Sequence, residues 1–179
     1  MRLHEEVLRF WFEEAGPKRW WAADPEFDAE IRSRFGALHS QAARGEFHGW
    51  RAAPRGRLAE IIVLDQFSRN LFRDSPLAFA QDAAALACAQ EAVRAGTLDE
   101  LKPEERAFLL MPYMHSEARE VHLEAERLFR DHAPGNYQYE LRHKAIIDRF
   151  GRYPHRNAVL GRPSTPEEAA FLKQPGSRF

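Results

Sequence analysis

Three observations predict an all-α fold. Pro and Gly divide the 179 residues into segments of helical length, apolar residues recur within those segments at three- and four-residue spacing, and no alternating run is long enough for a strand pair. With 44% hydrophobic residues the chain can bury a sizeable core. The expected arrangement is one domain over residues 1–179, an irregular array of antiparallel helix pairs joined by short links.

Each helix has a local cause. Leu3 to Glu14 places Val7, Leu8, Phe10 and Trp11 on a helix that should stop at Gly16-Pro17. Asp24-Pro25 is an N-cap followed by proline at the first helical position, opening a helix with Phe27, Ile31, Phe35 and Leu38 inward and an end near Gly45. A third helix is expected from about Pro54 to Phe72, and Ser75-Pro76 repeats the cap signal for an alanine-rich fourth reaching Gly96. Lys102-Pro103-Glu104-Glu105 begins the next, in which Pro112 must kink or split the helix because it has no N–H to donate. Tyr137 to Phe150 ends before Gly151, and Thr165, Pro166 and Glu168 form a capping box for the last helix.

Composition narrows the function. Lys and Arg number 26 against 27 Asp and Glu, so there is no overall positive field to draw nucleic acid or anionic membrane, and neither is expected as a partner. The acidic N-terminal stretch is unlike a secretion signal, and no apolar run approaches the about 18 residues of a membrane span. The single cysteine, Cys88, lies among alanines and reads as inert packing in a reducing compartment. A soluble, cytoplasmic protein is expected.

The segment LDQFSRNLFRDSP, Leu64 to Pro76, poses the functional question. Projected at about 100° per residue, Asp65 and Arg69 fall in the middle of an apolar stripe that includes Leu58, Ile61, Ile62 and Phe72. Gln66 and Asn70 form a second row beside it. A helix apolar nearly all round is a central one, so it carries charges inward. Such charges either brace one another or line a polar pocket with apolar walls, and this helix alone favours bracing.

Other polar clusters could converge on the same place. MPYMHSEAREVHLEAE puts His115, Arg119, His122 and Glu126 on one predicted helical stripe. The seven-residue separation of its histidines is poor metal spacing, no His-Glu-x-x-His is present, and no metal or cofactor is expected. His143 shares a face with Tyr139, Ile146, Ile147 and Phe150, where a satisfied core histidine is the preferred reading. FGRYPHRNAVLGRP gathers Arg152, His155, Arg156, Asn157 and Arg162 in a non-helical stretch suited to a phosphate or carboxylate, or else to capping helix C-termini. Trp20-Trp21 and Trp50 are expected to pack in the core rather than to stack bases.

The phrases VLRFWF, LDQFSRNLFR, MHSE, FGRYPHRN and LGRPSTPEEAAFL, in this order, resemble the bacterial domain-of-unknown-function family 924, from Val7 to about Leu172. The resemblance implies an all-α fold like tetratricopeptide-repeat domains without their repeat consensus. It implies no established activity. The family's polar motifs correspond here to Asp65, Gln66, Arg69, Asn70 and Arg73, to His115, Ser116 and Glu117, and to Arg152, His155, Arg156 and Asn157. Tyr153 stands where the family more often has Phe, and Met114 precedes the histidine; neither changes the expected chemistry.

The expected site is a pocket for a small anionic ligand or a peptide carboxylate, built from Asp65, Arg69, Asn70, His115, Glu117, His143, His155, Arg156 and Asn157. The alternatives are a protein-interaction scaffold with structural polar networks and, ranked third, an acid/base enzyme. The enzyme would use Glu117 or Asp65 as base, His115 or His143 as proton shuttle and Arg156 to stabilise an anion.

Overall fold

Helix α1 (Leu3–Arg9) buries Val7 and Leu8 and runs on as a π-helical turn, Phe10–Ala15, that delivers Phe10 and Trp11 to the core. The computed structural model describes residues 2–179, all of whose regular elements are helical. Gly16 ends the turn with φ 68°, and Pro17 starts the short α2 (Pro17–Trp20). In α3 (Pro25–Ala43), Asp24 Oδ1 accepts from the Glu26 and Phe27 N–H groups at 3.0 and 3.1 Å, the expected cap. Phe27, Ile31, Phe35 and Leu38 are all buried.

The central helix comprises α4 (Pro54–Ile62), a π-helical turn over Val63–Phe67, and α5 (Ser68–Leu71). Every residue from Leu58 to Ser68 is buried, as the all-round apolar pattern requires. Gly56 lets this helix pass close to the preceding 3-10 turn, since a Cβ there would lie 2.1 Å from the Trp50 carbonyl oxygen. α1, α3 and later helices pack around it, and Phe10, Trp11, Phe27, Phe35, Phe67 and Phe108 interlock between them.

The helix expected at Ser75-Pro76 starts later. Ser75 Oγ caps only a 3-10 turn, Pro76–Phe79, and α6 (Asp82–Arg94) begins after a further turn. The break brings Phe79 and Asp82 against the arginines described below, contacts a continuous helix would not direct inward. Cys88 on α6 is buried, and burial together with Glu60 pushes its thiol up to about 11.

α7 (Pro103–His115) continues through Pro112 and stops one turn later; Ser116–Ala118 is extended before α8 (Arg119–His132). The expected stripe of His115, Arg119, His122 and Glu126 is therefore cut in two. α9 (Tyr137–Phe150) ends at left-handed Gly151. In α10 (Pro166–Phe171) the predicted capping box is complete: Thr165 Oγ1 accepts from Glu168 N–H at 3.1 Å and Glu168 Oε2 accepts from Thr165 N–H at 3.4 Å. Successive helices α6 to α9 pack pairwise, while α4 contacts α1, α6 and α7. Among the described residues no helix is long and apolar enough to cross a membrane.

Candidate functional site

The row on the central helix ends in a cleft. Asp65 sits in the π-helical turn, 1% exposed, with both carboxylate oxygens held. Gln66 Nε2 donates to Oδ2 at 2.6 Å; Oδ1 takes His115 Nδ1 at 2.7 Å and Arg69 Nη1 at 3.3 Å. Burial pushes this carboxyl up, but His115, Arg69 and Gln66 outweigh it and hold it below the usual carboxylate range. Single π-helical turns inside α-helices recur at functional sites, and this one turns Asp65 toward the end of α7.

Arg69, one turn on, forms a bidentate pair with Asp82 at 2.9 and 3.1 Å. Arg156 approaches the same Asp82 from the Pro154–Arg156 turn at 3.4 Å and donates to the His115 carbonyl at 3.0 Å, capping α7. Its guanidinium lies over Phe79 and Tyr153, 4.4 and 4.8 Å from the ring centroids. Arg156 is only 5% exposed, its Nε has no partner, and burial with the nearby Arg69 charge lowers its pKa.

These side chains form one wall of a cleft of about 850 Å³. Gln66, Arg69, Asn70, His115, His155 and Arg156 face it, with His143 and Arg73 further along. Asn70 and Arg73 are both anchored on Asp28, at 2.8 Å for the amide and at 2.7 and 2.9 Å for the guanidinium. Apolar side chains complete the lining: Trp20, Phe79, Met111, Met114 and Val159. Trp21, Tyr139 and Phe179 stand at the rim 61%, 55% and 52% exposed, three of the six large hydrophobic side chains left open among the described residues. Trp20 packs on Trp11 and Phe108 as expected of a core aromatic, whereas the exposed Trp21 departs from that expectation.

Three histidines line the cleft in differing states. His115 donates Nδ1–H to the anionic Asp65, which leaves its Nε2 as a lone-pair acceptor with no partner among the described residues. Burial and the Arg69 charge lower its pKa despite that carboxylate. His143 donates Nδ1–H to the Tyr139 carbonyl at 2.7 Å, packs with its ring tilted against Phe179 at 4.0 Å between centroids, and is pushed by burial down to about 3. Burial and Arg156 push His155 down to about 4. Burial thus disfavours the charged form of all three rings.

Of the nine residues expected here, Arg69, Asn70, His115, His143, His155 and Arg156 line the cleft. Asp65 stands directly behind His115. Glu117 and Asn157 do not reach the cleft. Glu117 accepts the Arg162 guanidinium at 2.8 and 2.9 Å and the Tyr153 N–H at 2.7 Å. Asn157 donates to Glu168 at 2.6 Å, joining Arg152 in a network that fastens α10. His122, the other half of the rejected metal pair, is buried against Glu140. Asp82 carried no signal beyond its place at the start of an alanine-rich helix, and nothing in the sequence brought Trp21, Tyr139 and Phe179 together, since they lie in a turn, in the first turn of α9 and at position 179. Among the described residues no His, Cys, Asp and Glu cluster is arranged to hold a metal.

The fold and this cleft define an all-helical protein with an arginine- and histidine-lined recess walled by aromatic side chains. The family described as "Bacterial protein of unknown function (DUF924)" matches residues 7–176, and the chain belongs to that family. A solved protein of unknown function from Agrobacterium tumefaciens is similar in structure, with TM-score 0.91 and 36% identity over 96% of this chain and 97% of that one. No curated protein matches.

Proposed function

We propose that the cleft binds a small molecule with an anionic head, a carboxylate or phosphate, and an apolar body. The observation that carries this is Arg156: a buried guanidinium with a free Nε, one long contact to a carboxylate, and a second arginine sharing that same Asp82. Positive charge is under-compensated there, and an anion would relieve it. Arg69, Arg73 and Arg156 line the cleft and their carboxylate partners Asp65, Asp82 and Asp28 do not, so the cationic ends of the pairs border it. The aromatic rim supplies apolar contact for the rest of the ligand, the usual composition of a small-molecule site.

A peptide C-terminus offers the same carboxylate. The enclosed histidine wall favours the smaller ligand, while the exposed rim aromatics are what a protein-interaction surface would present. Isothermal titration with phenylacetate and with phenyl phosphate, followed in parallel by tryptophan fluorescence, tests the reading. Saturable one-to-one binding that weakens at least about tenfold in Arg156→Met is expected, a tenfold loss being about 1.4 kcal/mol. No saturable binding of either probe at millimolar concentration overturns it.

A further inference from the structure

The cleft contains more than an anion receptor. Asp65 and His115 are arranged as an oriented base: the carboxylate fixes the Nδ1–H tautomer at 2.7 Å and is itself fixed by Gln66 and Arg69. His115 is the last residue of α7, its ring is 14% exposed, and it lines the cleft. Buried His122 has both nitrogens held, by Glu140 at 2.7 Å and by the Ser116 carbonyl at 2.8 Å, while His143 and His155 leave ring nitrogens unpartnered but have no carboxylate to orient them. His115 instead leaves Nε2 to the recess, beside two guanidiniums.

The remaining lining residues restrict the chemistry. Ser75 is the one hydroxyl of Ser or Thr type in the lining, and it caps the Leu77 N–H, so no activated nucleophile is present. The only carboxylate side chain in the lining is Asp74, and burial holds His143 and His155 away from the charged form in which an imidazole would protonate a leaving group. One base and two cations suffice for proton transfer at carbon, where the negative charge that develops needs only a positive neighbour.

We propose that His115 is a general base acting on a 2-oxo acid whose carboxylate lies on Arg69 and Arg156, with Asp65 as the residue that positions its ring. Nε2 takes the proton from the carbon next to the carbonyl. That C–H bond breaks, its electron pair forms the enolate double bond, and the carbonyl oxygen becomes an enolate oxygen beside the guanidiniums. The proton returns from the imidazolium to carbon, so the step needs no co-reactant, and the class of reaction is enolisation. It rests on the anion-binding reading above, which supplies the substrate's position.

In D₂O the proton on Nε2 exchanges with solvent, so the step is visible without knowledge of the natural substrate. The probe is 2-oxo-4-phenylbutanoate, which carries a carboxylate, an acidic C3–H₂ and an aromatic tail for the rim. Proton NMR should show the C3–H signal lost at least about tenfold faster with the protein than in buffer alone. His115→Asn keeps a donor near the Nδ1 position for Asp65 and removes the ring edge that faces the cleft; it should bind the probe in titration yet exchange at the buffer rate. Asp65→Asn should slow exchange and, by ¹⁵N NMR, shift His115 away from the Nδ1–H tautomer.

Binding without exchange above buffer overturns the proposal and leaves the anion-binding reading standing. Absence of binding of this probe overturns the proposal, and the anion-binding reading falls with it only if phenylacetate and phenyl phosphate also fail to bind. Wild-type exchange retained in His115→Asn also overturns it, by showing that another group is the base.

Discussion

Asp65 Oδ1 and His115 Nδ1 lie 2.7 Å apart, joining the π-helical turn of the central helix to the last residue of α7. This contact ties two elements fifty positions apart in sequence and settles which imidazole nitrogen faces the cleft. Because Asp65 also receives Gln66 and Arg69, its removal strands several donors at once. Asp65→Ala should cost about 3 to 5 kcal/mol in denaturant unfolding, the range for breaking a buried charge pair from one side. A loss under about 1 kcal/mol would show that the carboxylate is solvated and not a brace.

Arg69 and Arg156 share Asp82 but differ in what they leave behind. Arg69 satisfies Asp65 and Asp82 together, so Arg69→Ala uncovers two carboxylates and should cost about 3 to 5 kcal/mol. Arg156 makes one long contact to Asp82 and caps one carbonyl, and its own charge is poorly compensated. Arg156→Met, similar in length and at home between Phe79 and Tyr153, should change stability by no more than about 1 kcal/mol while weakening anion binding. Equal large losses for both variants would make the pair architectural.

The helices could be read because their signals are local: Asp24, Ser75 and Thr165 each accept the predicted backbone N–H. Ser75 nevertheless opened only a short turn, since the length of a helix depends on what its continuation packs against. Helical projection located the inward row of Asp65 and Arg69, although nothing in the residue pattern announced the π-helical turn there. Convergence was harder. Glu117 and Asn157 belong to the same polar segments as cleft residues but serve Arg162, Tyr153 and Glu168 instead. One motif does two jobs, and only tertiary contacts separate them. Asp82 and Phe79 escaped notice because their partners, Arg69 and Arg156, come from separate stretches of chain.

Asn157 marks the boundary between site and scaffold. It is 1% exposed, and its amide donates to Glu168 and to Ser164 at 2.6 and 3.1 Å. Asn157→Ala leaves part of a buried carboxylate uncovered and should cost about 1 to 3 kcal/mol, the penalty for an unsatisfied buried polar group. Affinity for phenyl phosphate should stay within about twofold of wild type, since a threefold change is already about 0.65 kcal/mol at the site. A tenfold loss of affinity without a stability change would move Asn157 into the binding surface.

The cleft histidines make stability depend on pH in a stated direction. His143 is held near 3 and His155 near 4 by burial, against an ordinary value of 6.5 in the unfolded chain. Between 6.5 and these folded values the unfolded state binds the protons and the folded state does not, so stability falls as pH falls. At or above pH 7.5 both states are neutral and the contribution vanishes. From pH 6.5 to 5 each such histidine should remove about 1.5 kcal/mol, from the 1.36 kcal/mol per unit that a full proton difference carries. The window lies above most carboxylate titration, so the histidines dominate it; buried His39 and His115, lowered as well, add in the same sense. His143→Leu keeps an apolar contact for Phe179 and should flatten the fall by about one histidine's share in urea unfolding at pH 6.5 and 5. An unchanged slope would mean that His143 takes up its proton in the folded protein, with the cleft opening at the Phe179 rim to hydrate it.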